Sequence, residues 1–490
     1  MKRVIYPICI FLFYSSVPLS LFSQVQKGTD LLGELSNDNF GTCVSMPNAN
    51  TIAVSAPYKH ITTGNGANYG GQVTVYSWDG SSWQQMGYTI DGNTDEQYLG
   101  QSLCMPDAGT IAVGSPRILS NLGGVQILTP TGANWIPKGM GIFGEATGDN
   151  FGHSLSMPDA NTIAIGAPTN DGNGTDAGNV RVFSWNSSAW TQKGVDIDGE
   201  AIGDYFGYSV SMPDANTVAI GANVNDGNGT DAGHVRIFSW NGSAWIQKGS
   251  DINGEAAGDN FGYSVSMSDE NTITIGAPYN DQSASNSGST SVYTWNGTTW
   301  VQKGLSINGE ALDDYSGNSV SMPDVNTIAV GAYRNDGNGN QSGHVRVYRW
   351  DGTQWLQDGN DIDGQATGDN AGNSVCMPDA NTLAIGALYF DRIVGQDIES
   401  NAGNARVFTF QQAGITDLKK QELQVQPNPA NNFALITTSK PTTAFITSTN
   451  GSILSSLDLN GETTIDVSTF APGIYFIRTS EGETVKFIKE

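Results

Sequence analysis

The stretch Phe206 to Gln247, FGYSVSMPDANTVAIGANVNDGNGTDAGHVRIFSWNGSAWIQ, is one copy of a unit that recurs along most of the chain. The seven copies start at Phe40, Leu99, Phe151, Phe206, Phe261, Ser316 and Ala371, at offsets of 59, 52, 55, 55, 55 and 55 residues. Repeats of this length are typical of architectures in which each unit is one supersecondary structure packed against its neighbours.

Each unit predicts four short antiparallel strands. In the copy from Phe151, the segments GHSLSM, TIAIGAP, NVRVFSW and WTQKG read as strands, with turns at residues 158–161 and 186–189. A glycine-rich loop, TNDGNGTDAG at residues 169–178, joins the second strand to the third. The turn residues and the β-branched runs favour strands, and no helical periodicity is present. The sequence therefore predicts an all-β fold, a seven-bladed β-propeller.

The seventh copy is incomplete, because no Trp-x-Gln-Lys-Gly strand follows Phe410. The missing piece stands at the start of the chain, where residues 25–34, VQKGTDLLGE, align with residues 191–200, TQKGVDIDGE. We therefore expect the N-terminal segment to supply the outer strand of the last blade and to close the ring. An open stack of repeats has no reason to divide one unit between the two ends of the chain.

The remaining segments give the domain organisation. Residues 1–23 read as a secretory signal peptide, with Lys2 and Arg3 before an apolar core of 11 residues that is too short to span a bilayer. Residues 24–411 form the propeller, residues 412–420 a linker and residues 421–490 a second small domain. Strand-like runs between Pro, Gly and Asn-Gly turns predict a β-sandwich for this C-terminal domain.

The charge balance limits the partners. Lys and Arg number 22 against 48 Asp and Glu, a formal charge of −26. This charge opposes nucleic acid and anionic membranes as partners and favours cations, basic surfaces or neutral ligands such as glycans. Solubility alone is the alternative explanation. No transmembrane segment is expected, and we expect a monomer.

Cysteine and tryptophan both follow the repeat. Cys43, Cys104 and Cys376 stand where other copies carry Ser on one short strand, so small residues in a tight strand are favoured over a disulfide framework or a metal site. All 11 Trp fall in the third and fourth strands. They could offer platforms for sugars, but their spacing across a turn favours packing between strands.

The C-terminal domain resembles the type IX secretion system C-terminal sorting domain (type A). The residues that carry the resemblance are 425–430 (VQPNPA), 450–451 (NG), 471–476 (APGIYF) and 485–489 (VKFIK). The resemblance implies export to the periplasm, recognition of residues 421–490 by the outer-membrane translocon, and commonly removal of this domain with attachment of the rest to surface lipopolysaccharide. A protein secreted to the outer-membrane surface or the extracellular space is the expected product.

The repeat resembles the FG-GAP family, whose best-known members are the propellers of integrin α-subunits. Phe-Gly occurs at 151, 206 and 261, and Gly-Ala-Pro at 166–168 and 276–278. Calcium-binding members carry an Asp/Asn-rich loop between these two motifs. Here that place holds only the turn Pro-Asp-Ala-Asn, and Asp159, Asp214 or Asp379 alone cannot supply six to eight oxygens. We therefore do not expect calcium at the usual position of the family.

Strand direction predicts one acidic face. In a four-stranded antiparallel unit, the loops between strands two and three and the connections between blades lie on the same side. That side gathers Asp171, Asp176, Asp196, Asp198, Glu200 and Asp204 from one copy, and Asp226, Asp231, Asp251, Glu255 and Asp259 from the next.

Calcium is a hypothesis for the glycine-rich loops. Asp171, Asn173 and Asp176, and their counterparts Asp226, Asn228 and Asp231, have the short spacing of carboxylate and carbonyl oxygens that can wrap a hard cation. Asp196, Asp198 and Glu200 are a second candidate and also candidate ligand-face residues. Asp and Asn next to Gly also simply form turns, which is the alternative.

Catalysis has little support. No Ser/His/Asp arrangement or HExxH motif is present, and His234 and His344 occupy the same repeat position. Repeat symmetry breaks in the loops at residues 58–70 and 388–402, which should lie close together and bring Lys59, His60, Asp391, Arg392, Asp397 and Glu399 to one place.

The favoured interpretation is a non-enzymatic β-propeller that binds an extracellular protein or glycan through its acidic loop face. One alternative is an extracellular polysaccharide-active enzyme with its site at the loops of blades seven and one. The other is a structural surface-layer component. The fold alone does not decide among them.

Overall fold

A computed structural model of the chain describes residues 22–61, 69–412, 423–438, 440–449, 452–480 and 484–490. The predicted signal peptide, residues 1–23, lies outside the described residues except for Phe22 and Ser23, and the predicted linker except for Gln412. Residues 21–412 form one compact unit, and the described C-terminal residues belong to another.

Seven antiparallel sheets, which we number as blades one to seven, make up the larger unit. Blade one contains Val44–Asn48, Thr51–Ala56, Gln72–Trp78, Trp83–Gln85 and Ile90–Asp91. Blade two contains Ser102–Asp107, Thr110–Ser115, Gly124–Thr131, Asn134–Pro137 and Ile142–Phe143. Blade three contains Ser154–Asp159, Thr162–Ala167, Asn179–Trp185, Trp190–Gln192 and Ile197–Asp198. Blade four contains Ser209–Asp214, Thr217–Ala222, His234–Trp240, Trp245–Gln247 and Ile252–Asn253.

The remaining blades repeat this order. Blade five contains Ser264–Asp269, Thr272–Ala277, Ser289–Trp295, Trp300–Gln302 and Ile307–Asn308. Blade six contains Ser319–Asp324, Thr327–Ala332, His344–Trp350, Trp355–Gln357 and Ile362–Asp363. Blade seven contains Ala371–Asp379, Thr382–Ala387 and Asn404–Gln412, with Phe22–Gln26 and Leu31–Leu32. Outside the blades lie a helical turn, Ile118–Asn121, and a small hairpin, Arg392–Val394 with Asp397–Glu399.

The first strands of the blades form the inner ring. Each contacts the first strands of the two neighbouring blades, and the first strand of blade seven contacts that of blade one, so the sheets close on themselves. The core lies between blades: one buried cluster joins Val180 of blade three to Val218 and Phe238 of blade four. Each blade therefore buries its apolar faces only against its neighbours, as a closed propeller requires.

The predicted closure by the N-terminal segment is confirmed. Phe22–Gln26 pairs with the last strand of blade seven, Val25 opposite Thr409, and Leu31–Leu32 pairs with the same strand opposite Ala405 and Asn404. The outer strand differs from the expectation in one respect. In every blade it is divided in two, because a segment such as residues 194–196 leaves the ladder before Ile197 pairs with Val180.

Hydroxyl and thiol groups tie the inner strands together. The Ser156 hydroxyl accepts the Met212 backbone N–H at 2.9 Å, and Ser211 accepts that of Met267 in the same way. Cys104 and Cys376 take the same place. Their Sγ atoms lie 3.4 and 3.2 Å from the backbone nitrogens of Met157 and Met46 in the neighbouring blades. The cysteines are unpaired, and burial raises the pKa of the thiols of Cys43, Cys104 and Cys376 to about 11. They therefore act as small polar strand residues, as predicted.

The tryptophan pairs join the outer strands. Trp240 lies opposite Trp245 across the hairpin, and Trp245 Nε1 donates to the Lys193 carbonyl of the preceding blade at 2.8 Å. The Lys193 ammonium lies 5.3 Å from the centroids of both rings and donates to Ala215 O. This arrangement recurs at other blade junctions, so the tryptophans pack between blades rather than forming a free ring of platforms.

The smaller unit is the predicted β-sandwich. One sheet orders the strands Gln424–Gln426, Phe433–Thr437 and Glu462–Asp466. The other orders Ile453–Leu459, Thr442–Ser448, Gly473–Thr479 and Thr484–Lys489. Its core is closed around Ile436, Ile477 and Phe487. Within the described part of the chain, no helix has the length and apolar character needed to cross a membrane.

Candidate functional site

The glycine-rich loops and the connections between blades lie together on one face, which we call the loop face, as the strand directions predict. Between blades three and four, the Asn173 side chain donates to Gly199 O at 2.7 Å, and the Tyr205 backbone N–H donates to Asp176 O at 3.1 Å. Each glycine-rich loop is therefore bound to the connection that follows it, and the face is held by hydrogen bonds rather than built from free loops.

Buried aspartates shape the connections. The prediction that Asp204 and Asp259 project from the loop face is wrong, because both side chains turn inward and only 2% and 4% of these residues are exposed. Oδ2 of each accepts the backbone N–H of the residue three positions earlier, Ala201 or Ala256. Burial raises the pKa of Asp259 above its ordinary value. These carboxylates close the connecting turns and are not available to a ligand.

The loop acids divide into two kinds. Asp171 Oδ1 accepts the Asp176 backbone N–H at 2.9 Å, and Asp226 does the same for Asp231. Blades five and six keep this cap with Asp281 and Asp336. At the position whose backbone N–H is capped, however, blades five and six carry Asn286 and Gln341 where blades three and four carry Asp176 and Asp231. The capping carboxylates therefore serve the fold, whereas the charges of Asp176 and Asp231 are not required by it.

Calcium in these loops stays a prediction. Of the six residues proposed as ligands, the amides of Asn173 and Asn228 donate to the backbone, and Asp171 and Asp226 serve as caps. At the usual position of the FG-GAP family, Asp159 Oδ1 accepts the Asn161 backbone N–H and forms the turn. One capping carboxylate per turn does not fit a cation that takes six to eight oxygens.

Two clusters of His, Glu and Asp were missed at the sequence level. Glu200 meets His234 and Asp251, and Glu310 meets His344 and Asp361, with one ligand atom from each residue inside 4.8 Å. In each cluster the Glu comes from the connection that precedes the blade of the other two residues. Only the recurrence of His at one repeat position signalled them.

Arginines already occupy these clusters. Arg346 Nη2 lies 2.5 Å from Glu310 Oε2 and 2.6 Å from Asp361 Oδ2, and Arg236 Nη1 lies 3.2 Å from Glu200 Oε1. Because a guanidinium neutralises the carboxylates, the clusters need no metal ion to balance their charge.

The other predicted acids of this connection are Asp196 and Asp198. The Asp196 carboxylate accepts a hydrogen bond from the Gln192 side chain at 2.6 Å, and burial, followed by the charge of Asp196, raises the pKa of Asp198.

Burial of the histidines predicts acid sensitivity of the fold. His234 and His344 are 1% and 3% exposed. Burial, followed by the charge of Arg236, lowers the pKa of His234 from 6.5 to about 4, and burial with Arg346 lowers that of His344. Between pH 6.5 and 4 the unfolded chain binds protons that the folded chain does not, so the free energy of unfolding falls as the pH falls.

We expect the change His234→Asn with His344→Asn to reduce this slope, since Asn179 and Asn404 fill the same position in other blades. For the change at His234, the free energy of unfolding at pH 5 should fall by about 2 kcal/mol less, relative to pH 7.5, than it does in the native chain. Urea unfolding at pH 7.5 and pH 5 measures it, with His60→Asn at an exposed position as the control. Equal slopes for the native and the double-variant chains would contradict the prediction.

The loops of blades seven and one meet through the connection at residues 33–38. The Lys59 ammonium lies 2.5 Å from Glu34 Oε2 and 3.7 Å from Asp38 Oδ2. Arg392 donates to Gly33 O at 2.9 Å, and Glu399 accepts from Ser36. These charged groups are therefore engaged in holding the two ends of the ring together.

The other members of this predicted site are more dispersed. His60 packs on Tyr69 at 4.5 Å, Asp391 caps the Asn401 backbone N–H, and Asp397 lies on the exposed hairpin. Residues 62–68 of the predicted loop lie outside the described residues.

A row of aromatic rings crosses the start of the inner strands on the loop face. His153 lies 4.8 Å from Tyr208, and Tyr208 lies 4.9 Å from Tyr263. Tyr279 then links Tyr263 to Tyr315, at 6.4 and 5.1 Å. This row was not predicted from the sequence, although Tyr follows Phe-Gly in two copies of the repeat.

The geometry defines a β-propeller with a hydrogen-bonded loop face, and family comparisons agree. The chain carries FG-GAP repeats, matched at residues 144–183, 190–238, 253–293 and 302–348. Residues 424–490 match the secretion system C-terminal sorting domain. The chain is therefore a cargo of type IX secretion, delivered to the cell surface or the extracellular space, and it interacts with that secretion system.

Solved structures with similar folds are distant in sequence. A candidate 6-phosphogluconolactonase from Bacteroides uniformis is 9% identical, with a TM-score of 0.47 over 66% of this chain and 85% of that one. A second candidate 6-phosphogluconolactonase, from Bacteroides fragilis, is 11% identical, with a TM-score of 0.45 over 71% of this chain and 96% of that one. The β-propeller domain of the trilobed protease from Pyrococcus furiosus is 10% identical, with a TM-score of 0.38 over 73% of this chain and 91% of that one. No curated protein matches the chain. Such distant similarity carries no argument about function.

Proposed function

We propose that this protein is a non-enzymatic binding protein of the cell surface or the extracellular space, which recognises a protein or a glycan through the loop face. The observation that carries the proposal is the exposed charge at Asp231 and the partly exposed charge at Asp176. Blades five and six form the same loop with Asn286 and Gln341. Carboxylates that the fold does not need, held on a hydrogen-bonded face, are available to a partner.

The charge of the chain fits this role. A net charge of −26 gives the exterior a negative potential, which speeds the encounter with basic extracellular partners, does not oppose neutral ones and repels polyanions. The secreted protein acts as a monomer in this proposal, since each blade buries its apolar faces against the neighbouring blades. Calcium, where it binds the glycine-rich loops, would act on the same face.

The test removes two charges from each face in turn. Asp176→Asn with Asp231→Asn keeps a side chain that occurs at the same position in blade five. The matched control is Asp79→Asn with Asp351→Asn in the turns of the opposite face, where blades three and four carry Asn186 and Asn241. Both pairs change the net charge equally and retain the caps.

Binding of the secreted protein to a glycan array and to a panel of purified extracellular matrix proteins is the measurement. We expect the loop-face pair to weaken the best interaction at least tenfold, and the opposite-face pair to leave it unchanged. Equal effects of the two pairs, or turnover of a polysaccharide by the native protein, would overturn the proposal.

A further inference from the structure

Four blades carry an arginine as the third residue of their third strand: Arg181, Arg236, Arg346 and Arg406. Three of them donate from Nη2 to a carbonyl of the preceding blade, namely Phe143 O, Asp198 O and Asp363 O, at 2.6 to 2.7 Å. Arg181 and Arg236 also lie 4.2 Å from the ring centroids of Phe151 and Phe206. A guanidinium therefore fills the space between each of these strands and the connection before it.

Blade two lacks this filling. Gln126 replaces the arginine, and Gly124 stands where blades three, four, six and seven carry Asn or His. Its second and third strands are joined by residues 116–123, whereas blade three uses residues 168–178, so the loop is shorter and contains no acidic residue. Phe143 occupies a position that is Asp or Asn in five other blades. These departures from the repeat all fall on one side of one blade.

The result is a cavity of about 760 Å³ between blades one and two on the loop face. Its lining includes Asn93, Tyr98, Arg117, Asn121, Gln126 and Phe143. A volume of this size accommodates a ligand of several rings. The loop at its edge holds three successive residues with positive φ, Leu119, Ser120 and Asn121, at 54°, 60° and 60°. Non-glycine residues in this conformation cost about 1 kcal/mol or more each, so the surrounding contacts fix the shape of this wall.

The chemistry of the lining is aromatic and amide-rich. Phe143 is 45% exposed and offers an apolar face. Tyr98 is fixed between the Tyr58 ring at 5.3 Å and the Arg117 guanidinium at 4.8 Å. The amides of Asn93, Asn121 and Gln126 supply both donors and acceptors. Arg117 is opposed by Asp95 and Glu96 in the same lining, so the cavity has no positive excess to attract an anion.

A second cavity of about 410 Å³ shares Arg117 and Asn121 with the first and extends to Asn150 and His153. His153 is the first ring of the aromatic row that leads through Tyr208 to Tyr263. The two cavities form one groove, which we call the blade-two groove, running from the connection after blade one toward the inner strands. An extended ligand can therefore contact successive aromatic and amide groups along it.

We propose that the blade-two groove binds a neutral oligosaccharide. Sugar rings present apolar C–H faces that stack on aromatic side chains. They also present pairs of adjacent hydroxyl groups, to which a planar amide or guanidinium group can form two hydrogen bonds. An acidic sugar is disfavoured by Asp95, Glu96 and the charge of the loop face. The proposal rests on the proposed binding function of the loop face. It adds to the surface around Asp176 and Asp231 a separate groove with a stated ligand class.

The experiment restores the repeat residues one at a time in the full-length secreted protein. Gln126→Arg places in the groove the guanidinium that other blades carry, and Phe143→Asn installs the residue of blades four and five. The matched control is Ser291→Arg, which introduces the same guanidinium at the same repeat position in blade five. The probe is an array of neutral cello-, xylo-, manno- and N-acetylchito-oligosaccharides, with oligouronides and unstructured peptides as comparison ligands.

We expect the native protein to bind one neutral series, Gln126→Arg and Phe143→Asn to weaken that binding at least tenfold, and Ser291→Arg to leave it unchanged. Melting temperatures show whether each variant is folded. If Gln126→Arg does not fold, Gln126→Ala tests the contribution of the amide group alone. Neutral-sugar binding that survives these changes but is lost with Asp176→Asn and Asp231→Asn would overturn this site and keep the proposed function. Preference for oligouronides or peptides would overturn the ligand class. Binding to none of these ligands would overturn the groove proposal alone, because the proposed function also covers folded protein partners.

Discussion

A chain that begins at Glu34 should be far less stable than one that begins at Gln24. The removed segment contains most of the outer strand of blade seven, including Leu31, which is 7% exposed, and the Lys27 backbone N–H, which donates to Val407 O at 2.7 Å. It also removes the Lys27 ammonium from between Trp78 and Trp83, at 5.1 and 5.3 Å. Burial of one leucine contributes about 2 kcal/mol, and each lost hydrogen bond about 1 kcal/mol.

We therefore expect a loss of about 5 kcal/mol or more in the free energy of unfolding, measured by urea denaturation of both chains. A synthetic peptide of residues 24–33 should restore part of the stability when added in excess, because the vacated edge of blade seven is its binding site. A peptide of scrambled sequence serves as the control. An unchanged denaturation midpoint after the truncation would show that this strand does not close the ring.

Phe206→Ala should have an effect of similar size. Phe206 is fully buried, contacts Phe238 at 6.4 Å between ring centroids and lies under the Arg236 guanidinium. Deleting a buried phenylalanine ring costs about 3–5 kcal/mol when the surroundings cannot collapse into the space. Blade seven carries Ala371 at this position, but there Phe390 packs against the same cluster. Blade four has Asn225 in the place of Phe390, so no ring is available to fill the cavity.

Urea unfolding at pH 7.5 measures this change, with Tyr88→Ala as the control because that ring is 65% exposed. The control should change the free energy of unfolding by less than about 0.5 kcal/mol. A loss below about 1 kcal/mol for Phe206→Ala would mean that the interface between blades three and four repacks, and that the Phe-Gly motif is not an anchor of the blade.

The repeat made much of the fold predictable. Strand positions follow from alternation and turn residues, and the closure follows from the likeness of residues 25–34 to residues 191–200. The placement of two loops on one face needs only the direction of antiparallel strands. In the small domain, the strand-like runs and turn residues predicted the β-sandwich, whereas a three-residue strand such as Gln424–Gln426 is too short to show an alternation.

The chemistry of single positions was not predictable in this way. Asp176 and Asp204 are the same residue type in one copy of the repeat, yet Asp176 is partly exposed whereas the buried Asp204 carboxylate accepts the Ala201 backbone N–H. Glu200 reaches His234 only because neighbouring blades pack side by side. The blade-two groove depends on the size of Gln126 relative to an arginine whose contacts only the structure shows.

The closing strand has a consequence for how the chain is made. Val25 O accepts a hydrogen bond from Thr409 Oγ1, a partner 384 positions away along the sequence. Until synthesis and export have delivered residues 404–412, the N-terminal segment has no strand to join, and the sheet next to it keeps an open edge that invites aggregation or proteolysis. A chain cut short anywhere before residue 404 stays in that condition. The ring can therefore close only in a chain that extends through residue 412, because only such a chain contains both halves of blade seven.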